Sequence, residues 1–110
     1  MGFQVRIAWK EGTSIEMSKV DIHRGIVLGL NQMYEKKNHD YGDSFALLRD
    51  KYPNAILIRL TDKLNRLERL MAGNERQVKD ESIEDTLLDL ANYALMEVVE
   101  MRMEREAYNG

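Results

Sequence analysis

The stretch PNAILIRLTDKLNRLERLMAG, residues 53–73, decides the reading of this chain. Leu57, Leu60, Leu64, Leu67 and Met71 recur at spacings of three and four, the period of one face of an α-helix. Pro53 and Asn54 suit the opening of that helix and Gly73 its end. Upstream, Ser18 and Asp21 are spaced as a capping box before a second helical pattern, Ile22, Ile26, Leu30 and Met33, which runs to about Lys37. Gly25 and Gly29, four apart within it, permit close helix packing. The polar run from Lys36 to Ser44 reads as a loop, after which Asp43 or Ser44 caps a short segment through Phe45, Leu47 and Leu48. Downstream, Asp80 or Ser82 caps a last long helix from about Glu81 to Glu106. Three principal helices and one short one, joined by short connections, predict an all-α fold, a compact antiparallel helical bundle over residues 18–110.

Residues 1–17 form a separate arm. Phe3, Val5, Ile7 and Trp9 alternate with Gln4, Arg6 and Ala8, the period of a half-buried strand. With no partner strand read in this chain, this short N-terminal strand or extended arm pairs with a second copy, docks, or frays.

Composition narrows the chemistry. At 110 residues there is room for one core, and a domain this small gains from oligomerisation, so a homo-oligomer, most simply a dimer, is expected. There are no cysteines and only two histidines, which removes disulfides, thiolate nucleophiles and zinc-thiolate centres. Any metal would take oxygen ligands and be hard, Mg²⁺ or Mn²⁺. A net charge of −3 argues against nucleic acid as the main partner. No apolar run approaches the roughly 18 residues of a membrane span, and the first residues lack the pattern of a signal peptide, so the expected location is cytoplasmic. No glycine-rich phosphate loop and no nucleophile with an adjacent base is visible.

Two polar stripes remain. In the last helix Glu81, Asp85 and Asp89 recur every four residues with Asn92 on the same line, while Ile83, Leu87, Leu90, Ala94, Val98 and Met101 lie opposite and are expected to face the core. Stacked carboxylates repel unless a cation neutralises them. In the preceding helix Arg59, Asp62, Lys63 and Arg66 form one polar arc opposite the leucine ridge. Two readings follow. The cations pair with the carboxylates across a helix interface, or the carboxylates hold Mg²⁺ while Lys63 and Arg66 grip phosphate oxygens. Both hold in turn if the free protein pairs internally what a ligand later separates. His39 and Asp40 read as surface groups of the loop.

The ordered motifs Lys37-Asn38-His39-Asp40-Tyr41-Gly42-Asp43-Ser44-Phe45, Arg59 with Asp62-Lys63 and Arg66, and Glu81-Ser82 with Asp85-Thr86 and Asp89-Leu90-Ala91-Asn92-Tyr93-Ala94 resemble the nucleotide modification associated domain 1 family of phages and bacteria. That family is in turn similar to the MazG-like all-α NTP pyrophosphatases. The resemblance spans about residues 20–100. It implies a helical bundle, commonly dimeric, that binds a nucleoside triphosphate through Mg²⁺ and, in the pyrophosphatase relatives, releases pyrophosphate by attack of a metal-activated water. Carried over, it makes Glu81, Asp85 and Asp89 metal ligands, with Asp85 and Asp89 at the reaction centre. It makes Lys63 and Arg66 phosphate contacts, Arg59 and Asn92 further substrate contacts, and Asn38, Asp40 and Tyr41 a base or sugar recognition motif. The pyrophosphatases also supply an acidic ExxE pair from an earlier helix. Helix one here has none, and Asp62 or Asp40 is the available substitute. Three functions stay open on these residues: an NTP pyrophosphatase-like enzyme acting on a (d)NTP or modified nucleotide, a non-catalytic nucleotide-binding or sequestering module such as a phage accessory factor, and a structural helical dimer.

Overall fold

The computed structural model describes the backbone of residues 4–10, 13–41, 43–73 and 76–109, and the side chains of 17–39, 43–73 and 82–108. The chain divides into two compact units, Met1–Lys37 and Asn38–Gly110.

In the first unit β1 (Gln4–Lys10) pairs antiparallel with β2 (Thr13–Ser18), Val5 opposite Met17 and Ile7 opposite Ile15, with a register shift between Ala8 and Lys10. The N-terminal strand therefore has its partner within the chain, which corrects the expectation of a lone strand. The signal for β2 is weak because TSIEMS holds only two apolar residues, one of them an unbranched methionine. Two residues, Glu11 and Gly12, separate the strands, a spacing that suits a hairpin.

Helix α1 (Lys19–Tyr41) begins at the capping box that the sequence predicts. The Asp21 amide donates to Ser18 Oγ at 3.2 Å, and the Ser18 hydroxyl and amide donate to Asp21 Oδ2 at 3.0 and 3.4 Å. These hydrogen bonds from Ser18, with Arg24 beside it, hold the Asp21 carboxyl below its usual range. The helix runs four residues past Lys37, so Asn38, His39, Asp40 and Tyr41 are helical and not loop. Their polar side chains only mildly disfavour helix, and extension adds a hydrogen bond for each residue fixed. Leu30 is buried, while Gly25 and Gly29 approach nothing: a Cβ built on either meets no atom within 4 Å. The expected close packing at the two glycines is absent among the described residues. Gly25→Ala and Gly29→Ala should therefore each raise the unfolding free energy by about 0.5–1 kcal/mol, through helix propensity alone. Thermal melts of the two variants check this, and a fall in stability would reveal a packing partner at that face.

The second unit is a helical bundle of α2 (Ser44–Lys51), α3 (Ala55–Ala72) and α4 (Arg76–Asn109). Asp43 and Asn54 stand at the N-caps of α2 and α3 but make no side-chain capping bond. Gly73 ends α3 in an extended conformation, with its amide donating to the Leu70 carbonyl at 3.3 Å. Asp80 and Ser82, read as caps, lie inside α4. α3 and α4 make the most extensive helix contact. They run antiparallel, since Arg66 meets Thr86, Lys63 meets Asp89 and Arg59 meets Tyr93 in descending and ascending order. α2 runs parallel to α4, with Phe45 beside Tyr93 and Arg49 beside Glu97.

The apolar row of α4 expected to face the core is largely open. Leu87, Val98 and Met101 are 48%, 44% and 49% exposed, and Ala94 is exposed as well; only Ile83 and Leu90 of that row are half-buried. The side turned inward carries Thr86, Tyr93 and Glu97 instead. The cause is the chemistry of the neighbours: α3 presents Arg59, Lys63 and Arg66 and α2 presents Arg49, and each finds its partner on the polar side of α4. The leucine ridge of α3 divides likewise, with Leu60 and Leu67 half-buried but Leu57, Leu64 and Met71 exposed. No helix among the described residues is long and apolar enough to cross a membrane.

Candidate functional site

The α3–α4 seam is built from two series with the same alternation of steps, three then four residues, one descending from Arg66 and one ascending from Thr86. Residues spaced this way stack along one side of a helix, so antiparallel packing sets them opposite each other as three rungs. On the first rung the Arg66 Nε donates to Thr86 Oγ1 at 3.3 Å, and the Thr86 hydroxyl donates to the Ser82 carbonyl at 2.7 Å. On the second, Lys63 Nζ lies 3.0 Å from Asp89 Oδ2. On the third, the Arg59 guanidinium stands 5.9 Å from the centroid of the Tyr93 ring, within cation–π range. Phe45 holds the Tyr93 ring in place, its centroid 6.2 Å away at a 48° tilt.

Of the expected pairing between the α3 cations and Glu81, Asp85 and Asp89, one contact forms among the described residues, Lys63 with Asp89, while Arg66 meets Thr86 and Arg59 meets Tyr93. Lys63 departs from its expected position opposite the ridge, because it is half-buried on the packed side of α3. The Lys63–Asp89 pair is half open to solvent, the lysine 23% and the aspartate 46% exposed. Such pairs contribute about 0.2–1 kcal/mol, little enough for a ligand to separate them. Asp89 uses only Oδ2 in this pair, and Asp85, one turn earlier, is exposed and makes no ion pair or hydrogen bond among the described residues. Asn92 is half-buried on the same line.

Asp62 is exposed on α3 without an ion pair among the described residues, and Asn38 is exposed in α1. The side chains of Glu81, Asp40 and Tyr41 lie outside the described residues. Among those described, no three His, Asp or Glu side chains converge as a metal site. The donors still suit a hard cation: Asp85 and Asp89 are all-oxygen ligands one helical turn apart, and the α4 backbone places Glu81 one turn before them.

Two sets of residues carry no role in the sequence reading. Thr86 is 1% exposed, with its hydroxyl fully engaged, and Tyr93 supplies the π face for Arg59. A mid-helix Thr four residues after a Ser is the only sequence signal for Thr86. The second set is the clamp by which Arg49 grips Glu97 through two bonds, of 2.9 and 3.0 Å, and reaches Glu104 at 2.8 Å.

No curated protein and no solved structure matches the chain. Residues 37–101, more than half of the chain and nearly the whole of the second unit apart from the end of α4, match the family described as nucleotide modification associated domain 1. The match covers the three seam rungs and α4 as far as Met101. This chain belongs to the nucleotide modification associated domain 1 family.

Proposed function

We propose that the domain binds a nucleoside or deoxynucleoside triphosphate, or a modified nucleotide, through Mg²⁺ or Mn²⁺ on the α3–α4 seam, and acts on it as a MazG-like pyrophosphohydrolase. The Lys63–Asp89 pair carries this reading, because it sets a cation suited to phosphate against a carboxylate suited to a metal, in a half-exposed contact that a ligand can open. Asp85 and Asp89, with Glu81 one turn earlier, are the ligand set. With Asp89 committed to a metal, Lys63 would be free to pair with a phosphate oxygen, beside Arg66 one turn along α3. A bound cation would offset the phosphate charge and acidify a coordinated water. Arg59 and Asn92 flank the same line and are further contacts. Membership of a family associated with nucleotide modification supports a nucleotide over other phosphate esters.

Incubation with a panel of NTPs and dNTPs in Mg²⁺ or Mn²⁺, with Asp85→Asn as control, tests the enzyme reading. Pyrophosphate and nucleoside monophosphate from the wild type alone are expected. Binding without turnover would identify a non-catalytic sequestering module, the reading favoured by helix α1 lacking an ExxE pair.

The exposed row Leu87, Ala94, Val98 and Met101 supports a homodimer through α4, since apolar rows of this length are normally covered. Sedimentation at micromolar concentration should give a dimer, and Val98→Glu a monomer.

A further inference from the structure

Thr86 is the most deeply buried polar side chain among the described residues, yet it lies at a seam where its neighbours along α4, Asp85 and Asp89, are far more open. We propose that Thr86 is a positioning residue whose hydroxyl fixes Arg66 so that the two terminal guanidinium nitrogens face an incoming phosphate. This rests on the phosphate-binding reading above.

A hydroxyl has one proton, and that of Thr86 goes to the Ser82 carbonyl at 2.7 Å. Towards Arg66 the oxygen can then only accept, and it receives Nε at 3.3 Å. Donation to the carbonyl four residues back locks the threonine rotamer, so the acceptor lone pair points in one direction. Arg66 is thereby held at Nε, the root of its planar fork. Nη1 and Nη2 have no partner among the described residues, and this pair of nitrogens matches two oxygens of one phosphate. An arginine already held at Nε has less rotational freedom to lose when it grips an anion. Lys63 supplies a point charge one turn away, so the two cations divide the work: Lys63 balances charge and Arg66 sets orientation.

Titration calorimetry with inorganic pyrophosphate in Mg²⁺ tests this on the full chain. Thr86→Val keeps the shape and removes the acceptor, and should weaken binding about three- to tenfold. Thr86→Ser restores the hydroxyl and should recover most of that loss, whereas Arg66→Met should lose more than Thr86→Val. Wild-type affinity in Thr86→Val, with a clear loss in Arg66→Met, overturns the positioning role and leaves the phosphate reading standing. Wild-type affinity in Arg66→Met, or no binding by the wild type, removes the phosphate reading and this role with it. Nuclear magnetic resonance of the wild type provides a check that needs no folded variant. The Arg66 Nε–H should exchange with water more slowly than that of exposed Arg105, and should remain bonded as pyrophosphate is added. Exchange as fast as that of Arg105 would overturn the proposal.

Discussion

Arg49→Ala should lower the unfolding free energy by about 2–4 kcal/mol, the largest effect of any single charge removal in the second unit. Arg49 and Glu97 are only 19% and 20% exposed and joined by a bidentate pair, a geometry that surface ion pairs seldom reach. Glu97 is the chief cause of a guanidinium pKa pushed still higher than normal. Removing the arginine leaves Glu97 half-buried without its cation, with Glu100 and Glu104 close by. Glu100 already has its pKa raised, first by burial and then by Asp43, with Arg49 opposing the rise. The clamp also fastens α2 to α4, a junction otherwise marked by the Phe45–Tyr93 contact. Urea unfolding followed by circular dichroism measures the loss. Arg49→Lys should recover only part of it, because an ammonium cannot make the fork. A loss below about 0.5 kcal/mol would place the clamp among ordinary surface pairs.

Asp89→Asn and Lys63→Met should change binding strongly while leaving stability within about 1 kcal/mol, since their pair is half open to water. Asp89→Asn removes a ligand charge and should weaken Mg²⁺-dependent dATP binding at least 10- to 100-fold, a loss seen even for residues one shell beyond a metal. Lys63→Met should act in opposite directions on two ligands. Without the lysine Asp89 is free, so Mn²⁺ alone should bind more tightly; without its charge, pyrophosphate should bind more weakly. Fluorescence titration with Mn²⁺ and calorimetry with pyrophosphate read the two separately. If neither affinity moves, the pair is a structural contact only.

The helices were legible because their signals are local. The spacing of Leu60, Leu64 and Leu67 marks α3, and the Ser18–Asp21 box marks the start of α1, since both depend on residues within one or two turns. β2 was not legible, because two apolar residues in TSIEMS are too few to carry a period of two until β1 lies beside them. The end of α1 also escaped, as Asn38 to Tyr41 disfavour helix only weakly.

The candidate site divides in the same way. Helical periodicity alone puts Asp85, Asp89 and Asn92 on one line, and Lys63 and Arg66 near each other on the preceding helix. Which side of α4 is covered depends instead on how the helices dock. Periodicity names the residues of a face but not its partner, and here Arg49 from α2 and the cations of α3 reached the polar side and left Leu87, Val98 and Met101 outside. The pairing of Arg66 with Thr86 arose at the same step, because it needs two helices docked antiparallel in one register, which no spacing within either helix can specify.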